Sequence, residues 1–180
     1  MDYTEKQLHS ELIFDGHVLH LYKDDILLPD GKVGFREYCK HIGAVCIVPI
    51  TDEGEVICVK QYRYAHRKVV LEIPAGKLDA PDEDPARAAL RELREETGAV
   101  CDKLTYLGPL YTTPALIDEV IHMYMAEGLV FGQTDPDEDE FIEVERIPLD
   151  VLVERICKGE VPDAKTQAAV LRAAWARMRG

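Results

Sequence analysis

The sequence predicts an α+β fold, a layered sandwich of mixed strands with few helices. Three observations predict it. The first half is a series of β-branched runs divided by turn signals. One stretch near the middle changes to helical spacing, and the second half returns to strands before closing on two helical segments. That order lacks the regular strand–helix alternation of a doubly wound sheet.

The strand segments of the first half are ELIFDGHVLHLYKDDILL, FREYCKHIG, AVCIVPI, EVICVKQYRY and VVLEIPAG, with PDGK and TDEGE as turns between them. Between Asp84 and Gly98, Ala86, Ala89, Leu90 and Leu93 recur at helical spacing, after an Asp-Pro start and before a glycine stop. Strands KLTYLGPLYT and EVIHMYMAEGLV follow, then the acidic loop TDPDEDE, the strand FIEVERI, and helices from about Leu149 and Asp163 onward. No internal repeat or low-complexity linker interrupts the chain.

A length of 180 residues with 47% hydrophobic content suits one compact domain, residues 43–180, preceded by an antiparallel β-rich segment, residues 1–42. The net charge of -13 argues against nucleic acid or an anionic membrane as partner, since both are held by cationic side chains. A phosphate substrate would need cations to screen it. No run reaches the roughly 18 apolar residues of a membrane span, and MDYTEKQLHS lacks the features of a signal peptide, so the expected location is cytoplasmic. Cys39, Cys46, Cys58, Cys101 and Cys157 are odd in number and without C-x-x-C spacing, which suits reduced core residues better than a disulfide framework.

The helix carries the chemistry. Glu92 and Glu96 are four apart and project from one face, with Glu95 on the neighbouring row. By that geometry alone the cluster is either a solvated acidic face or a cation site. The preceding EIPAG turn brings backbone carbonyls into play, and carboxylates plus a carbonyl, with no histidine or thiolate, are ligands for Mg2+ or Mn2+.

Gly76, Glu83, Arg91, Glu92, Leu93, Glu95, Glu96 and Gly98 together resemble the Nudix box, G-x5-E-x7-R-E-U-x-E-E-x-G-U. The likeness implies a Nudix-type α/β/α sandwich with a mixed sheet. Counted from Gly76 the first acid of the box is Asp82; counted back from Arg91 it is Glu83, because the loop DAPDED holds one extra residue. The insertion precedes Pro85, a residue suited to the first helical position, so it leaves the helix register intact and favours Glu83. Ala99 fills the closing aliphatic position, and Arg91 matches the arginine that steadies a box glutamate, here Glu95.

QYRY followed by LEIPAGK resembles the ADP-ribose pyrophosphatase branch of the family, as does Pro114, fifteen residues after Ala99. The similarity runs from about Arg36 to Thr166. Ala115 and Leu116 depart from the glycine and phenylalanine common in that branch. The resemblance implies hydrolysis of ADP-ribose to AMP and ribose 5-phosphate, with the Ala75 carbonyl, Glu92 and Glu96 holding magnesium and Glu95 assisting. It further implies a substrate contact from Arg63, otherwise an outward strand residue, a phosphate or partner-subunit contact from Arg36, and a homodimer formed through the N-terminal segment.

The acidic loop fails as a calcium loop, because its sixth position is Glu140 and its twelfth Arg146. By composition it is a solvated charge run; resemblance implies instead a catalytic loop, with Glu138 as base and Glu140 as a further metal contact. Two alternatives stay open at the level of sequence: hydrolysis of another nucleotide sugar such as GDP-mannose, and an ADP-ribose sensor that binds without cleaving. The intact glutamate set favours an enzyme.

Overall fold

The computed structural model describes residues 2–134 and 141–179. Two compact units divide the chain: residues up to Ile42 with Tyr111–Glu119, and Gly43–Leu110 with the residues from Val120 onward.

The first unit is an antiparallel meander of β1 (Lys6–Asp15), β2 (His20–Leu27) and β3 (Val33–Lys40). The expected run 11–28 is split at Gly16, whose N–H donates to the Leu19 carbonyl (2.9 Å), and β1 begins earlier than the apolar pattern does. Ladder hydrogen bonds are made by the backbone, so Lys6 and Gln7 pair with Leu27 and Ile26 whatever their side chains prefer. The turn to β3 closes on Gly31 at φ 85, a left-handed position that glycine adopts without steric cost. Residues 111–119 join this unit because Cys39 N–H donates to the Leu116 carbonyl (2.8 Å) and His41 N–H to Asp118 Oδ1 (2.7 Å).

Among its described residues the second unit holds two sheets and three α-helices. One sheet has the order β7 (Ala75–Lys77), β4 (Ala44–Pro49), β9 (Val120–Phe131), β8 (Ala99–Tyr111); the other has β10 (Glu143–Pro148), β5 (Glu55–Arg63), β6 (Lys68–Glu72). β4 runs parallel to β9 and antiparallel to β7, so the sheet is mixed as expected. Pro74, which lacks a backbone N–H, separates β6 from β7 inside the single run VVLEIPAG.

β4 is buried along its whole length and divides the core by side-chain alternation. Val45 and Ile47 pack with Ala88, Ala89 and Leu93 of helix α1 (Pro85–Thr97). Cys46 and Val48 face the other way, toward Cys58 of β5, Leu152 of α2 (Leu149–Cys157) and Val170 of α3 (Ala164–Arg179). Helices therefore cover a β-layered centre, and the α+β sandwich holds. Among the described residues no helix is long and apolar enough to cross a membrane.

All five cysteines are unpaired, but only Cys46 and Cys58 lie in the core; Cys39 and Cys101 are half-buried and Cys157 is exposed on α2. The expectation of core thiols thus fails for Cys157, whose helix turns it outward. Burial pushes the Cys46 and Cys58 thiols up to about 12. Reactivity belongs to the thiolate. A thiol reagent at about pH 8 should modify Cys157 in the native protein and spare Cys46 and Cys58 until denaturant is added, as peptide mass mapping would show.

Candidate active site

Helix α1 begins where the sequence places it. Asp84 caps it, its carboxylate accepting from Ala86 N–H (2.9 Å), and Pro85 occupies the first position. It ends at Gly98 in the left-handed conformation, φ 70, with the Gly98 N–H on the Arg94 carbonyl (2.8 Å). A β-carbon at Gly98 would stand 2.6 Å from the Gly132 carbonyl oxygen, so the helix end is also closely packed.

The apolar face of α1 contains acids. Glu92 is 8% exposed and Glu96 5%, beside Ala88, Ala89 and Leu93, while Glu95 is half-buried. A solvated acidic face is therefore not what the helix presents. The Glu92 carboxylate lies against β7, in the space a β-carbon at Gly76 would fill. Glycine at 76 makes room for it, and Ala75, next along β7, is held opposite Cys46.

Arg91 organises the acids around it. Its Nη1 donates to Glu92 Oε1 (2.7 Å) and Glu95 Oε2 (3.1 Å), and Nη2 donates to the Lys77 carbonyl (3.2 Å). Nε lies 3.3 Å from Asp79 and 3.6 Å from Glu83. Burial pulls the guanidinium pKa down, but Glu92, Glu95 and Asp79 outweigh it and hold the pKa above its usual value. Of the two candidates for the first acid, Asp82 is exposed, whereas Glu83 Oε2 accepts from Asp79 N–H (2.6 Å) and faces Arg91. The extra loop residue is absorbed before the helix.

Arg63, at the end of β5, pairs through Nε and Nη2 with both oxygens of Glu72, at 2.7 and 2.6 Å. That bidentate bond raises its pKa despite burial, and the charges of Glu72, Asp163 and Glu96 add to the effect. Arg36, on β3, pairs with Glu5 and donates to the Phe35 carbonyl (2.9 Å) within the first unit. Glu138 and Glu140 lie outside the described residues. Among the described residues no three histidine, cysteine, aspartate or glutamate side chains form a ready metal-ligand group.

The NUDIX domain family matches residues 40–172. The chain belongs to that family. An ADP-ribose pyrophosphatase of Bacillus subtilis is 45% identical to it over 92% of this chain and 90% of its own. A methanol dehydrogenase activator of Bacillus methanolicus is 42% identical over 93% and 91%. The fold is that of a crystal structure of an ADP compounds hydrolase, with a TM-score of 0.85, 24% identity, and coverage of 98% of this chain and 96% of that one.

Sequence reasoning missed Glu72, which is 2% exposed, and its second cation, Lys165. A lone acid inside the apolar run VVLEI was the available signal, because a charge buried there needs a partner. Burial pushes the Glu72 carboxyl up, but hydrogen bonds and charge from Arg63 and Lys165 outweigh it and hold the carboxyl below its ordinary value. A depressed carboxyl stabilises the fold fully above its unfolded pKa, about 4.3, and loses that contribution as pH falls through the lower folded value. Urea midpoints of the native protein should therefore drop as pH is lowered below about 4.3, whereas Glu72→Gln, less stable near neutrality, should show a flatter acid limb. Parallel profiles would remove Glu72 from the acid transition.

Proposed function

We propose that this NUDIX protein hydrolyses the diphosphate of ADP-ribose, releasing AMP and ribose 5-phosphate. The observation that carries the chemistry is the pair of buried carboxylates, Glu92 and Glu96, on the face of α1 beside Gly76. The 45% identical ADP-ribose pyrophosphatase supports the substrate.

Buried carboxylates in a strongly acidic protein call for positive charge. Arg91 supplies part of it. The donors are oxygen only, the Glu92 carboxylate seated where a Gly76 β-carbon would stand and the carbonyl of the neighbouring Ala75, and such donors suit a small hard cation, Mg2+ or Mn2+. Glu92, Glu96 and the Ala75 carbonyl would hold it, with Glu140 as a further ligand. The chemistry such an ion supplies when bound is neutralisation of phosphoryl oxygen charge and acidification of water.

The chain's own side chains do the rest. Arg91 fixes the Glu92 carboxylate against rotation and restrains Glu95 from the next turn. Arg63 presents the guanidinium edge not used by Glu72 to the diphosphate. Glu138 takes the proton of the attacking water. Ordered donors and acceptors of this kind lower the barrier because they are in place before charge develops. The setting is the cytoplasm, where unpaired cysteines stay reduced.

Product analysis with magnesium should find AMP and ribose 5-phosphate from ADP-ribose, at a higher kcat/KM than for GDP-mannose or nucleoside triphosphates. Glu92→Gln and Glu96→Gln should each lower kcat by about 100-fold or more with the fold retained, and Glu138→Gln should lower kcat with little change in KM. Full turnover in both helix variants would refute the assignment. Loss confined to Glu140→Gln would move the base to that residue.

The same reading includes a homodimer through the first unit, whose outermost strand β1 leaves Leu8, Leu12, Ile13 and Phe14 exposed. Light scattering at micromolar concentration should give the mass of two chains; a monomer would sink this part of the proposal.

A further inference from the structure

Arg63 is held by a partly buried clamp that extends well beyond Glu72. Lys165 Nζ binds Glu72 Oε2, the same oxygen that Arg63 Nη2 reaches, and lies 3.1 Å from Asp163 Oδ1. Asp163 is fixed in turn, its Oδ2 accepting from Thr166 N–H (2.9 Å) and Thr166 Oγ1 (2.6 Å) at the start of α3. Thr166 Oγ1 also accepts from Ile73 N–H (3.0 Å), which ties α3 to the residue following Glu72. Side chains of Glu72, Lys165 and Asp163 are 3%, 12% and 18% exposed, whereas that of Arg63 is 42% exposed. Glu72 is buried, Lys165 and Asp163 are half-buried, and Arg63 is the most exposed of the four.

This geometry has a mechanical and an electrostatic consequence. A guanidinium pairing through Nε and one Nη2 hydrogen leaves its Nη1 edge to donate elsewhere. The plane of that edge follows the plane of the Glu72 carboxylate. Lys165 prevents the carboxylate from rotating, because it binds Oε2 while anchored on Asp163. It also supplies the second positive charge against two carboxylates; without it, Arg63 alone would have to balance Glu72 and Asp163.

We propose that Lys165 is a positioning residue: it never touches substrate, and it aims the outer edge of Arg63 at the substrate diphosphate by locking Glu72. The inference rests on the reading of Arg63 as a diphosphate contact. Lys165 thus links the first turn of α3 to the end of β5.

Steady-state kinetics on Lys165→Met, Arg63→Ala and the double variant test it. Lys165→Met should raise KM about tenfold with kcat within about threefold, and the double variant should be no worse than Arg63→Ala, since the lysine acts only through that arginine. Multiplying KM effects in the double variant, or an unchanged KM in Lys165→Met, would overturn the proposal. Should Lys165→Met not fold, Lys165→Ala removes the same donor and charge and is read by the same criteria. Wild-type protein that leaves ADP-ribose intact would defeat the substrate reading instead, and the variants would then be compared on whichever nucleoside diphosphate compound is cleaved. No cleavage of any such compound would overturn both.

Discussion

The absence of a side chain at Gly76 is the constraint on which the carboxylate helix depends. The Glu92 carboxylate occupies the volume where a β-carbon of residue 76 would stand, so α1 can bury Glu92 against β7 only because that strand is bare there. Antiparallel pairing of β7 with β4 then sets the depth, placing Gly76 opposite Val45 in the core. Val45, Ile47 and Leu93 seal the same interface with apolar contact. Burial of acids and burial of hydrocarbon are thereby achieved by one helix face.

Such burial has an electrostatic cost, met by two arginines in different ways. Arg91 sits among carboxylates of its own helix and of the preceding loop, gathering Glu92, Glu95, Asp79 and Glu83 around one guanidinium. Arg63 is committed on one edge to Glu72, with Lys165 on the same carboxylate from α3. Lys165 and Glu72, with side chains 12% and 3% exposed, form the most buried of these pairs, and removing one partner of a buried pair typically costs about 3–5 kcal/mol because the other charge is stranded. In a chain of net charge -13 the cations are few. Those nearest the helix are among its main organisers.

Loop and strand lengths are permissive where backbone geometry absorbs them. One extra residue before Asp84 leaves the cap, the proline and the helix register intact, because a surface loop can lengthen without rotating the helix it leads into. At the far end of α1 tolerance is low, since Gly98 combines a left-handed backbone with close packing on Gly132.

Much of this was already determined by sequence. Helix α1 and its two ends, the common face of Glu92 and Glu96, the tight backbone approach at EIPAG and the mixed α+β order were legible because each depends on neighbours within a few positions. The family was legible for the same reason: its box is a local pattern, confirmed by the match over residues 40–172. Tertiary structure decided the rest. It buried the acids that helical periodicity alone left open as a solvated face, joined Arg63 to Glu72 nine residues away and Lys165 to Glu72 ninety-three residues away, and drew 111–119 into the first unit. It also turned Cys157 outward from a run that looked apolar. Spacing fixes which residues share a face, but whether that face meets water, a glycine or a distant cation depends on which chain segment packs against it, and no local pattern encodes that.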